Sequence, residues 1–232
     1  MRTLTLILPY YDNPQMFITQ QQEWRSYPEQ LKEALRVIVV DDCSPNFPAR
    51  DAVVESGVML TLYRTLVDVR WNWIFCRNLA MSKAQTDWRL MTDMDHVLPA
   101  KVLSSLLTMK LDERIAYRLS RVDAPKMVPY KPHPNTWLMT GALFDKVGGY
   151  DETFSGYYGT DGDFRRRVEK VAKIVLLPER MVRYERNVIP DASTTTYTRK
   201  EDFDRANVQR IVAERKPGWR PKRLSFPYEQ QL

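Results

Sequence analysis

The feature that most constrains this chain is the alternation of apolar, β-branched runs with helical stretches over residues 1–95. "LTLILP" (Leu4 to Pro9) and "RVIVVDD" (Arg36 to Asp42) are short runs closed by proline or acid. Runs without polar alternation predict strands buried on both faces of a parallel sheet. Between them "YPEQLKEAL" predicts a helix from its leucine spacing and from Pro28 near its start. "VMLTLYR" (Val58 to Arg64) predicts a third strand, and Trp88 to Thr92 a fourth. Trp71 to Gln85 predicts a helix with Trp73, Cys76, Leu79 and Ala80 on one face. This β-α-β-α-β order implies an open, mostly parallel α/β sheet with right-handed crossovers, in which ligands collect at the carboxyl ends of the strands. Pro9–Tyr11, Asp41–Asp42 and Asp93–Asp95 all fall at such ends.

The second half is less regular. A helix near Ala100 to Leu111 and a strand around Ile115 to Leu119 precede the proline-rich loop "DAPKMVPYKPHPN". After the glycine-punctuated "KVGGYDETFSGYYGTDGD", a helix from Thr160 places Phe164, Val168, Val171 and Ala172 on one face. "KIVLLP" predicts a strand, "DASTTT" a polar loop, and Lys200 to Arg215 a helix before the basic tail "ERKPGWRPKRL". No linker divides the chain. The expected organisation is one domain over 1–232, in three parts: a first half (1–98), a second half (99–185) and a C-terminal loop, helix and tail (186–232).

Composition narrows the class. At 232 residues, 44% hydrophobic and 28% charged, the chain can bury a sizeable core. Cys43 and Cys76 have no metal-ligand spacing, which predicts free thiols in a reducing compartment. The apolar opening stops at Asp12, Asn13 and Pro14, short of a membrane span and without a signal-peptide cleavage site, so a soluble cytoplasmic chain is expected. A net charge of +6 fits phosphate-bearing partners: nucleotides, nucleic acid or an anionic membrane.

Several carboxylates are candidates for chemistry. If the strand at Trp88 continues to Met94, Asp93 and Asp95 leave the sheet on one side. At roughly 6 Å their repulsion is about 3 kcal/mol at an effective dielectric near 20, which a divalent cation would offset. Hard oxygen ligands suit Mg²⁺ or Mn²⁺, and the simpler alternative is a solvated turn. Asp41 and Asp42 end the second strand, where an acid accepts hydrogen bonds from a base or ribose, or caps the turn that follows. Thr160 and Asp163 form a capping-box pattern that leaves Asp161 unexplained, and a general base at the mouth of a site would need such a position. Arg165 to Arg167 fit a solvated helix surface. The histidines His96 and His133 form no zinc spacing, and no P-loop, dinucleotide fingerprint or nucleophile elbow is present.

In this order the motifs resemble a GT-A glycosyltransferase of the family 2 type. "TLILPYYDN" resembles its opening strand, "VIVVDDCSP" its nucleotide-binding acids, and "FCRNLAMSKAQTDWRLMTDMDHVL" its helix and D-x-D motif. "VGGYDETFSGYYGTDGDFRRRV" resembles its acceptor and base region. The match runs through about residues 3–185. It implies that Asp42 faces the nucleotide base, with Pro9, Tyr11 and Asp41 on the nucleotide side and Asp93 near the ribose. Asp95, with Asp93, would bind Mn²⁺ or Mg²⁺, and Asp161 would deprotonate an acceptor hydroxyl in an inverting displacement. Arg77 of the "RN" pair, Arg77 and Asn78, would support nucleotide binding or the D-x-D loop. The chain has Thr160 where the family often has Glu. "RMVRYER" resembles a late metal-binding stretch of related β-galactosyltransferases, with Met181 as a further candidate ligand and Tyr184 where a His would stand.

The implied function is metal-dependent, inverting transfer of a sugar from a nucleotide diphosphate donor, a UDP-sugar as first expectation, to a carbohydrate, glycolipid or protein acceptor. One rival is a nucleotidyltransferase, whose glycine- and lysine-rich phosphate loop is missing. The other is a non-catalytic basic binder of nucleic acid or membrane; nucleic acid is not an expected partner of the enzyme. The basic tail reads as a solvated terminus, or as a peripheral membrane contact.

Overall fold

The computed structural model describes residues 2–193 and 205–232. In chain order the first half comprises β1 (Leu4–Tyr10), α1 (Pro14–Arg25), α2 (Glu29–Ala34), β2 (Leu35–Asp41), β3 (Met59–Thr65), α3 (Trp73–Lys83), β4 (Trp88–Met91) and β5 (His96–Val97). The second comprises α4 (Ala100–Thr108), β6 (Ile115–Asp123), β7 (Val128–Tyr130), β8 (Trp137–Thr140), α5 (Gly141–Val147), α6 (Asp161–Val171), β9 (Lys173–Arg183), α7 (Arg205–Ala213) and β10 (Tyr228–Gln230).

The expected α/β sheet is present. Its first half, in the order β3-β2-β1-β4, is parallel. The chain builds outward from β1 to β3 and then returns to place β4 on β1's other side, so the loops after β1 and β4 diverge and open a crevice. Beyond β4 the sheet continues through β8, β6, β9 and β5, and every pairing on that path except the parallel β6–β9 is antiparallel. Both faces are covered, as the unalternating strand sequences require. Leu4, Leu6 and Leu8 of β1 pack with α1, α2 and α4, while Ile7 packs with α3, α5 and α6.

Helix α1 is a correction to the sequence reading, which places no helix there. Its core-facing residues are Met16, Phe17, Gln20, Gln21 and Trp24, and the two glutamines break the apolar stripe. They are buried because their amides have partners: Gln20 Nε2 donates to the carbonyls of Met94 (2.8 Å) and His96 (2.9 Å). Gln21 joins the carbonyl of Ala52 and the amide of Val54. The helix N-terminus is capped from far along the chain, because Asp191 accepts from Gln15 N (2.7 Å) and Met16 N (2.9 Å). Strand β9 runs past "KIVLLP" to Arg183, and the proline-rich loop contains β7.

The tail is not a solvated terminus. Arg215 bridges the buried carboxylates of Asp151 and Asp163 at 2.8 and 2.5 Å and lies 3.6 Å from the Trp219 ring. The amides of Leu224 and Ser225 donate to Glu152 at 2.7 and 2.8 Å. Pro221 packs where a side chain on Gly148 (φ 89°) would collide, and β10 covers the edge of β3. The predicted capping box does not form: Thr160 makes no side-chain cap, and Asp163 turns instead to Arg167 and Arg215. Arg167 is therefore part of the packing, while Arg165 pairs with Glu169 on the surface. Of the loop and helix expected over residues 191–215, positions 194–204 lie outside the described residues.

Candidate active site

The loops after β1, β2 and β4 meet at the crevice. Each of the first three strands is followed by a non-glycine residue in the left-handed region, Asp12, Cys43 and Trp71, so these turns are held by tertiary contacts rather than by backbone preference. Asp12 is fixed by Ser44 Oγ, which accepts from its amide, and by the amides of Asn46 and Phe47, which donate to its carboxylate.

The adjacent acids of β2 separate. Asp41, expected at the nucleotide, is fully buried and accepts from Ser44 N, Ala49 N and Arg64 Nη1 at 2.7, 2.9 and 2.8 Å. Its oxygens close the following turn, and it does not line the crevice. Asp42 does. One oxygen accepts from Asn72 N (3.1 Å), the other is buried, and the Cys76 thiol also helps to hold the carboxylate. Burial holds its pKa well above the carboxylate range. With Pro9, Tyr11, Asp68 and Trp71 it lines a cavity of ≈ 220 Å³.

Asp93 and Asp95 do not project from a strand, since β4 ends at Met91 and both lie in the following loop. The repulsion expected between them is met first by protein. Asp93 pairs with the fully buried guanidinium of Arg77 and lies 3.2 Å from His133 Nε2. Arg77 is held 4.7 Å from the Trp73 ring and 5.8 Å from Tyr150. Burial opposes ionisation of Asp93, but His133 and Arg77 outweigh it and hold its pKa below the usual value. The neighbouring Asn78 ties α3 to the segment before α6, through Tyr150 and Glu152.

Asp95 is held differently. Its Oδ1 lies 2.6 Å from His96 Nδ1, and His96 Nε2 lies 2.9 Å from Arg121 Nη1. An arginine only donates, so Nε2 accepts and the proton on Nδ1 is given to Asp95. The carbonyls on either side of Asp95, those of Met94 and His96, take Gln20's amide; its own accepts from Tyr184 N (2.9 Å).

Met181 does not join this group. It is 1% exposed, packs in the core and lines neither cavity of the cleft. Among the described residues no three His, Cys, Asp or Glu side chains are grouped to hold a metal. The donor set that faces the cleft is the pair of carboxylates. That is chemically suited to an ion completing its shell with phosphate oxygens and water.

Asp161 opens α6 and lines a second cavity of ≈ 790 Å³. Its Oδ1 accepts from Asn135 Nδ2 at 2.7 Å, and burial raises its pKa above the usual carboxylate value. The two cavities share Trp71, Trp73, Asp93, Asp95, Asn135 and Ser193. Asp42, Asp93, Asp95 and Asp161 thus lie along one continuous cleft. The sequence reading missed Asp68, Trp71, Trp73 and Asn135 and set His133 aside. The aromatic "WNW" at the start of α3 is the signal that could have marked two of them; nothing in "KPHPN" marks His133 and Asn135, and nothing in "LVDVR" marks Asp68.

No family model and no curated relative matches the sequence. Solved structures match in fold. One is S. aureus TarS 1–349 in complex with UDP-GlcNAc, at a TM-score of 0.66 and 19% identity, over 91% of this chain. Another is the mannosyltransferase PcManGT from Pyrobaculum calidifontis in complex with GDP-Man and Mn²⁺, at 0.58 and 18%, over 78% of this chain. The chain spans 65% of the first and 57% of the second. No helix among the described residues is long and apolar enough to cross a membrane.

Proposed function

We propose that this chain, which has the GT-A glycosyltransferase fold, transfers a sugar from a nucleotide diphosphate donor to an acceptor hydroxyl with inversion at the anomeric carbon. One observation carries the reading: a cavity lined by Asp42 runs, past Asp93 and Asp95, into a larger cavity containing Asp161. Asp42, which lines the smaller cavity, would hydrogen-bond the base. Pro9, Tyr11 and Trp71 would enclose the nucleoside. Asp93, fixed by Arg77, would lie near the ribose and diphosphate. Asp95, with Asp93, would hold Mn²⁺ or Mg²⁺. Such an ion, when bound, neutralises charge on the departing diphosphate. The binding of GDP-Man and Mn²⁺ by the similar mannosyltransferase supports this cofactor.

Asp161 is the base. Its raised pKa suits proton abstraction better than an ordinary exposed carboxylate. The acceptor O–H gives its proton to Asp161 as the oxygen bonds to the anomeric carbon, and the carbon–oxygen bond to the diphosphate breaks with its electron pair on the leaving group. The acceptor occupies the larger cavity, which Trp73, Tyr130 and Tyr158 line.

The test is turnover of UDP-GlcNAc and GDP-mannose with Mn²⁺, followed as nucleoside diphosphate release. One of them should be hydrolysed slowly even without acceptor, and chelation should abolish it. Asp161→Asn should lower acceptor-dependent turnover by about 10²–10⁴-fold and leave donor affinity nearly unchanged. Equal loss of binding and turnover, or no release from any sugar nucleotide, contradicts the assignment.

A further inference from the structure

We propose that Asn135 couples the two halves of the cleft: its amide nitrogen fixes the Asp161 carboxylate, and its oxygen accepts a hydrogen bond from a hydroxyl of the sugar being transferred. This inference rests on the donor reading above.

Asn135 is 7% exposed, and it is one of the residues that line both cavities. Its Nδ2 donates to Asp161 Oδ1 at 2.7 Å, while its Oδ1 is buried with no partner among the described residues. The direction of the amide follows from chemistry. An ionised carboxylate only accepts, so the NH₂ group must face Asp161 and the carbonyl must face away. A buried carbonyl oxygen without a donor is costly, so a donor from outside the chain, such as a hydroxyl group, is called for there.

The residue is also held rigidly. Arg118 Nε donates to the carbonyl of Thr136 at 2.8 Å, Arg118 also donates to the carbonyl of His133, and Thr136 Oγ1 lies 2.9 Å from Thr92 Oγ1. The amide of Asn135 reaches His133 Nδ1 at 3.3 Å. The loop is thereby tied to the end of β4 on one side and to β6 on the other, which suits a group that must register position rather than follow it. A sugar attached to a diphosphate beside Asp93 and Asp95, with its anomeric carbon toward Asp161, occupies the junction that Asn135 lines.

The experiment measures equilibrium binding of UDP-GlcNAc and of UDP, each with Mn²⁺, to the wild type, Asn135→Ala and Asn135→Asp. The pair GDP-mannose and GDP is used if the wild type selects that donor. Asn135→Ala should weaken the sugar nucleotide about tenfold and leave the bare nucleotide within about twofold. Asn135→Asp keeps an oxygen on the cavity side but loses the donor to Asp161. It should keep the ratio of the two affinities and lose turnover, with the acid limb of the pH–rate profile moved upward by the second carboxylate. If the alanine variant does not fold, as judged by thermal melting, Asn135→Ser, which also removes the amide oxygen, is measured in its place under the same expectation. Equal weakening of both ligands, no weakening of either, or a changed affinity ratio in Asn135→Asp overturns the inference and leaves the donor reading standing. A wild type that binds neither sugar nucleotide overturns both.

Discussion

At the scale of residues, Asp93 shows how an acid is kept ionised in a crowded cleft. Arg77 supplies the charge, and His133 lends an N–H while remaining neutral, because burial pushes its pKa down to about 4 despite Asp93 nearby. The sign of the consequence follows by linkage. Between about pH 6.5, where an unfolded histidine titrates, and about 4, the unfolded chain binds a proton that the folded chain refuses, so stability falls as pH falls through this window. The contribution is at most about 3 kcal/mol. His133→Gln should flatten the pH dependence of the melting temperature between pH 6.5 and 4; an unchanged slope would mean that the ring is not held neutral. That Asp42 and Asp161 come to one cleft was legible in the sequence, because the carboxyl ends of parallel strands and the loops facing them converge in such a sheet. Which of Asp41 and Asp42 lines the cleft was not legible, since loop amides such as those of Ser44 and Ala49 decide it. Asn135 and His133 were hidden for a related reason: a proline-bounded loop has no period to read, and their roles come from Arg118 and Asp161 across the fold.

At the scale of elements, the strands β1 to β4 were readable because burial on both faces leaves an unbroken apolar signature. Helix α1 was not, because its core face includes Gln20 and Gln21, whose partners come from other loops. The tail was misjudged because charge in a sequence does not reveal a buried countercharge. Arg215 is 13% exposed at its side chain, and Asp151 and Asp163 are 1% and 4% exposed. Arg215→Met leaves two buried carboxylates short of their cation and should cost roughly 3–5 kcal/mol in urea denaturation. A loss under about 1 kcal/mol would place the tail back among solvated termini.

At the scale of the whole molecule, the sheet runs through the boundary near residue 98. β4 pairs with β8, and β5 pairs with β9, so each half completes the other's hydrogen bonding. A single cooperative transition is expected in denaturant, coincident by fluorescence and circular dichroism, and a fragment of residues 1–98 should show none. Two separated transitions would instead mark independent units. Helix α1 has its first turn held by Asp191, and one side chain, Gln20, carries the carbonyls that bracket Asp95. The segment around Asp191 and the acid loop are therefore anchored to the same helix, one at its first turn and the other at its middle.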